Sequence, residues 1–174
     1  MTHGGAAAYY RQMTFAAAAE QHLDEVYAYL AYLTGDRSVA EDLAAETFEK
    51  AFRLWPRFDP ARGSARVWLC QIARTTALDW LRAERRRRAR ENVYALHEIA
   101  TADEPAFGEG LPPGLERALA ALSPGEREVI ALRVLLELEG RTAARVLGIS
   151  ETACSTRLSR ALARLEREVA EDVA

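Results

Sequence analysis

The sequence is poor in the residue types that carry chemistry: among 174 residues stand two cysteines and three histidines. Cys70 and Cys154 fall in apolar stretches of predicted helices in separate halves of the chain, which makes them buried thiols rather than a disulfide framework, a redox pair or a metal site. His3, His22 and His97 are scattered, and none stands at ligand spacing from a cysteine, so no zinc site is expected. The glycines form no phosphate-binding pattern between a strand and a helix, and no segment reads as an obvious strand. Apolar runs stop well short of the eighteen or so residues that cross a bilayer, which argues against membrane insertion. The Ala-rich start lacks the basic lead and cleavage site of a signal peptide, and a cytoplasmic location is the expectation. Asp42 and Glu46 lie one helical turn apart. A solvated helix face supplies no cleft to separate their pKa values, so they read as surface carboxylates or as a protein-docking face rather than as an acid–base pair. No catalytic residue, cofactor or metal is expected.

What is present is helical periodicity and an uneven distribution of charge. The net charge is only -3, which taken whole argues weakly against nucleic acid. Residues 20–61 hold nine acids against four bases, however, and residues 62–90 hold nine bases against two acids. Residues 91–114 hold five acids and no base, and 115–174 hold ten acids and nine bases. A local basic surface is therefore hidden in the average.

Residues 1–19 read as a lead, either unordered or the beginning of a helix. A helix over 19–34 is predicted to bury Leu23, Val26, Tyr27, Leu30 and Leu33, and Gly35-Asp36 breaks it. A second helix over about 37–55 places Ala40, Leu43, Ala44, Thr47, Phe48, Ala51 and Trp55 on one face, and Pro56 ends it. Pro60 and Gly63 mark a loop, and a third helix starts near Ala65 with Leu69, Ile72, Ala73, Thr76 and Trp80 inward. Arg66, Arg74 and Arg82 recur every eight residues on a related flank. The run Arg82, Arg85, Arg86, Arg87, Arg88 and Arg90 contains one acid, and such mutual repulsion suits contact with a nucleic-acid backbone better than a solvated helix end or a membrane surface. Trp68 fits core packing or the stacking of an unpaired base.

Residues 91–114, with three prolines, three glycines and no periodic stripe beyond a short turn near 93–99, read as an acidic linker long enough that its flanks need not touch. From Leu115 a second unit begins. A helix runs through Ala121, and Ser123, Pro124 and Glu126 form a capping box for the next. Residues 141–169 then carry a short helix ending in Leu147-Gly148-Ile149 and a longer one behind Ser150 or Thr152, which is helix-turn-helix spacing. Ala144, Leu147, Ile149, Ala153, Leu158, Ala161, Leu162 and Leu165 make the apolar side. Thr152, Ser155, Thr156, Arg157 and Arg160 lie in the first turns of the second helix, where such proteins read DNA. On this stretch alone, DNA reading and plain bundle packing are equally good accounts. The fold class is all-α: two small helical domains, 20–90 and 115–174, joined by the linker 91–114.

Three segments in this order carry a resemblance. GDRSVAEDLAAETFEKAF (35–52), VWLCQIARTTALDWLRAERRR (67–87), and ALSPGEREVIALR with ARVLGISETACSTRLSRAL resemble the group 4, extracytoplasmic-function type, RNA polymerase sigma factors, over residues 20–90 and 115–168. The resemblance implies a promoter-specificity subunit that binds core RNA polymerase, recognises minus-thirty-five and minus-ten elements, and stabilises the melted non-template strand without itself being an enzyme. It implies that Asp42, Leu43, Glu46 and Phe48 lie in the helix docking on the polymerase clamp. It assigns the minus-ten element to the loop Phe58–Ser64 and the third helix, with Phe58, Arg62, Ser64, Arg66, Trp68, Arg74, Asp79, Arg82, Arg85 and Arg86. Thr152, Ser155, Thr156, Arg157 and Arg160 would face the minus-thirty-five major groove. An anti-sigma factor is the implied regulatory partner. Ala45, Thr75, Glu137 and Ser155 depart from the family's usual glutamine, asparagine, glycine and lysine. The alternatives are a free-standing helix-turn-helix regulator, which normally dimerises to read two half-sites, a helical adaptor without a DNA role, and a metal-dependent nuclease using Asp42 and Glu46.

Overall fold

Thr14 starts the first helix because its side chain accepts the Ala17 amide at 3.2 Å, satisfying one of the donors a helix start leaves free. The computed structural model describes residues 14–94 and 113–173. The expected lead up to residue 13, the greater part of the linker, and His3 and His97 lie outside the described residues. Helix α1 spans Phe15–Thr34, α2 Arg37–Leu54 and α3 Ala65–Tyr94, with a short 3-10 turn, Trp55–Arg57, where Pro56 stops α2. The second group comprises α4 Pro113–Ala121, α5 Pro124–Ile130, a π-helical segment Ala131–Leu135, α6 Gly140–Leu147 and α7 Glu151–Val173. Every regular element among the described residues is helical, as expected of an all-α chain.

The predicted inward faces are largely those observed. In α2, Ala40, Leu43, Ala44, Thr47 and Ala51 are buried, and in α3 Leu69, Ile72, Ala73 and Thr76 are. Phe48 and Trp80 pack against that core while staying partly exposed. In α1 the stripe is turned by about one residue. Leu23 is 49% exposed, Tyr27 only half-buried, and the buried line is Ala18, His22, Val26, Tyr29, Leu30 and Leu33. The row 18, 22, 26, 29/30, 33 keeps helical spacing throughout, so the helix buries histidine and alanine in order to bury the large Tyr29 ring.

Helices α1, α2 and α3 pack on one another, and α7 packs against α4, α5 and α6. The two groups also meet: α1 lies against the π segment and α3 against α6, and the buried apolar side chains of both form one contiguous cluster. The sequence requires only that the linker allow separation, and in this conformation the units are in contact. The helix that the Ser123 capping box starts is interrupted. The amide of Leu136 bonds to the Ala131 carbonyl at 2.9 Å and that of Leu138 to the Leu132 carbonyl at 2.9 Å. Glu137, at φ 50°, takes the left-handed conformation that closes the helix, a role usually given to glycine.

Candidate nucleic-acid interface

The helix-turn-helix is built by three local devices. The capping box at α5 is present in both directions, with Ser123 accepting the Glu126 amide and the Glu126 carboxylate accepting the Ser123 amide at 2.8 Å. The bond from the Ser123 amide, with the Ser123 side chain second, holds the Glu126 pKa below the usual carboxylate value. Gly148, at φ 68°, ends α6 and turns the chain, and Ser150 is the cap of α7, accepting the Ala153 amide at 3.1 Å. Cys154 and Ala161 point inward at 1% and 0% exposure, which leaves Thr152, Ser155, Thr156 and Arg160 exposed and Arg157 half-buried. Gly125 makes the room for Arg157: a Cβ there would stand 3.1 Å from its Nη1. The result is a shallow open depression between Ser123 and Glu126 on α5 and Thr152, Thr156, Arg157 and Arg160 on α7. Hydroxyls and guanidinium groups around a helix N-terminus suit base edges and phosphate oxygens. All five residues expected from the sequence lie together on this helix start.

The loop before α3 is organised by aromatic rings. Trp55 stacks on Phe58 with centroids 4.8 Å apart, and Trp68 meets both, at 5.7 Å and 5.3 Å. Phe15 at the start of α1 joins through Trp55 at 5.7 Å and Phe52 at 5.3 Å. The Trp68 ring is therefore packed among aromatic side chains while staying half-buried. Asp59 accepts the Ala61 amide at 2.9 Å and Ser64 accepts the Val67 amide at 3.3 Å, so Ser64 serves as the start of α3 while Arg62 stays exposed on the loop. Thr75 is exposed, and its hydroxyl donates back to the Gln71 and Ile72 carbonyls.

The basic helix end is more neutral than the sequence suggests. Glu84 holds Arg87 at 2.7 Å and Arg88 at 2.9 Å, and hydrogen bonds from both bring its carboxyl down to about 2. Arg82 pairs with Asp79 at 3.1 Å. Arg85 and Arg86 are exposed on the same stretch. Arg66 and Arg74 are engaged across the two helical groups. Arg66 donates to Glu25 on α1 at 2.8 Å and to the Leu136 carbonyl at 2.5 Å, and Arg74 pairs with Glu128 on α5 at 2.8 Å. Sequence reasoning missed Glu128, which is 7% exposed. Its signal was an acid heading an i, i+4, i+8 row with Leu132 and Leu136, a position otherwise reserved for apolar side chains.

On α2 the expected docking residues divide. Asp42 and Glu46 are exposed, with Glu46 paired to Lys50 at 2.5 Å, and Phe48 is partly covered. Leu43 is 3% exposed and belongs to the core, so its part is to hold the helix rather than to offer a surface. Both thiols are buried, and burial pushes Cys70 up to about 12 and Cys154 upward from its ordinary value. Among the described residues no helix is long and apolar enough to cross a membrane.

Two family models match the chain, Sigma-70 region 2 over residues 18–87 and Sigma-70 region 4 over residues 114–165. The chain is 32% identical over 156 residues to the extracytoplasmic-function (ECF) RNA polymerase sigma factor BldN of Streptomyces coelicolor, covering 88% of this chain and 59% of that one. It is 28% identical over 149 residues to the ECF sigma factor SigM of Bacillus subtilis, covering 84% and 90%, and 34% identical over 137 residues to SigC of Mycobacterium tuberculosis, covering 79% and 73%. Among solved structures it resembles the sigma factor RpoE in complex with the anti-sigma factor NepR from Bartonella quintana, with a TM-score of 0.70 at 24% identity over 87% of this chain and 93% of that one. CnrH in complex with the cytosolic domain of CnrY gives 0.67 at 26% identity over 91% and 88%.

Proposed function

Because the chain belongs to the sigma-70 family of RNA polymerase sigma factors, in its extracytoplasmic-function branch, we propose that it docks on core RNA polymerase through the exposed carboxylates of α2 and reads promoter DNA with α3 and α7. The observation that carries this reading is the open start of α7, where Thr152, Ser155, Thr156 and Arg160 face solvent and Arg157 is seated over Gly125. Such a surface fits the major groove of the minus-thirty-five element. The minus-ten element falls to the Phe58–Ser64 loop and α3, with Phe58, Arg62, Ser64, Arg66, Trp68, Arg74 and Asp79, and with Arg82, Arg85 and Arg86 on the helix beyond. Binding energy for the unpaired non-template strand is what this subunit contributes. Phosphodiester chemistry stays with the polymerase.

The same reading puts the protein in the cytoplasm and gives it an anti-sigma factor as partner, in keeping with the structural neighbour RpoE, which was solved in complex with the anti-sigma factor NepR. Transcription in vitro with purified core polymerase across a promoter library tests it. Transcripts that start at discrete sites only when the chain is added are the expected result. No stimulation at any promoter, with core binding intact, would overturn the promoter-reading role.

A further inference from the structure

Gly125 follows Pro124 at the start of α5 and has no conformational reason to be glycine. Gly148 sits at φ 68° with nothing within 4 Å of where its Cβ would stand, and it is glycine for the sake of its backbone. Gly125 is the reverse case. Its φ is not positive, and a glycine inside a helix costs stability relative to alanine. What the position gains is the missing side chain. The space a Cβ would fill is taken by Arg157 of α7, whose Nη1, Cζ and Nε lie 3.1, 3.4 and 3.6 Å from that point. Three atoms of one planar group at such similar distances mean that the guanidinium lies across the glycine rather than touching it with one tip.

Contact alone holds the guanidinium there. Among the described residues Arg157 makes no hydrogen bond or ion pair. The Glu126 carboxylate, which lines the same depression, is already engaged: its Oε2 accepts from the Ser123 amide at 2.8 Å and from Arg164 at 3.4 Å. Arg157 is therefore half-buried with all its N–H donors unspent, whereas Arg160, one turn further along α7, is exposed. A guanidinium located by shape loses less side-chain freedom when it meets a base edge, and its fixed fork matches one arrangement of acceptors. A mobile one would settle on a phosphate or a neighbouring base almost as readily.

Resting on the proposed function, we infer that Gly125 is a positioning residue for promoter reading: by leaving its Cβ space to the Arg157 guanidinium, it aims that side chain, donors free, at one base pair of the minus-thirty-five major groove.

Discrimination at that pair then depends on a residue of α5 that has no side chain of its own. A methyl group at position 125 makes the guanidinium give way by a few tenths of an ångström, and a longer side chain unseats it. Either change also replaces glycine by a better helix former. Promoter reading and fold stability should consequently move in opposite directions, which a variant that merely damages the fold would not do.

Transcription by holoenzyme assembled from core polymerase and the full chain tests this, on a responsive promoter whose minus-thirty-five base pairs are replaced one at a time. The pair read by Arg157 is the one at which Arg157→Ala no longer discriminates. Gly125→Gln should lose about fivefold or more of the discrimination at that same pair, keep it at the other positions, and melt no earlier than wild type. In the Arg157→Ala background Gly125→Gln should have no further effect, as expected of two coupled positions. Should Gly125→Gln melt early, Gly125→Ala replaces it, with a smaller loss at the same pair. Wild-type discrimination in the folded variant, a loss spread evenly over the element, or an equal effect in both backgrounds overturns the inference. The seat is read separately, without DNA, by NMR relaxation at the arginine Nε positions. Arg157 should be more ordered than Arg160 in wild type and as mobile as Arg160 in Gly125→Gln. Equal mobility in wild type overturns the seat, whereas an ordered Arg157 in a chain that gives no promoter-dependent transcription removes the proposed function and leaves the seat standing.

Discussion

Glu137 is the one non-glycine residue among those described with positive φ, at 50°. A left-handed conformation costs a side-chain-bearing residue about 1–2 kcal/mol, and glycine gives back about 0.5–1 through its freer unfolded chain. Glu137→Gly is therefore expected to stabilise the protein by about 0.5–1 kcal/mol, read as a higher urea midpoint. Glu137→Ala, which keeps the strain, should not. The departure from glycine was visible in the sequence, and its backbone cost was not. His22 shows the opposite limit. Nothing in the sequence marked it, because a histidine on a helix of mixed composition carries no apolar signal, yet it is buried beside Glu25 at 3.4 Å. Burial lowers its pKa from 6.5, with Glu25 partly opposing. The folded state thus favours the neutral ring, and unfolding takes up a proton below the unfolded value. Its contribution is intact above pH 6.5 and is lost as pH falls from there toward the lowered folded value. The thermal midpoint should decline between pH 7 and pH 5.5, and His22→Gln should flatten that decline; equal slopes would exclude His22 as a source.

At the scale of elements, caps and turns were the most legible features. Ser123, Pro124, Glu126, Gly148 and Ser150 act through bonds to their own neighbours in sequence, so spacing alone located them. The π segment was not legible, since Ala131–Leu135 has ordinary helical composition and nothing in it marks an extra residue per turn. Nor was the neutralisation of the basic run, because counting charges along a chain does not show that Glu84 grips two arginines. That grip sharpens a prediction. Arg85→Gln with Arg86→Gln should weaken DNA binding on every promoter and lower the slope of log affinity against log salt by close to 2, at about 0.9 per phosphate contact. Arg157→Ala should instead change the ranking of promoters, with about 1–3 kcal/mol of discrimination at stake if its base contact is bidentate. Equal losses for both variants on all promoters, measured by fluorescence anisotropy across salt, would refute this division.

At the scale of the molecule, the contact between the two helical groups was beyond the reach of the sequence. Linker composition bounds how far apart two units can go and says nothing of whether they meet, and arginines spaced by eight looked equally suited to DNA and to a partner helix. The second surface that matters here, α2, was readable because its two faces separate so cleanly. Ala40, Leu43, Ala44, Thr47 and Ala51 are inward, while Asp42 and Glu46 are exposed. Reversing both charges, Asp42→Lys with Glu46→Lys, touches no buried group. It breaks only the exposed Glu46–Lys50 pair, which costs a few tenths of a kcal/mol at most, about the value of an i, i+4 helix pair. Helix content and thermal midpoint should therefore stay near wild type, as should duplex binding through α7 on the far helical group. Capture of core polymerase should be abolished, since like charge would replace the proposed attraction across the docking face. A doubly reversed protein that keeps its fold and still retains core at wild-type affinity in a pull-down would show that α2 is a solvated face and that polymerase is held elsewhere on the molecule.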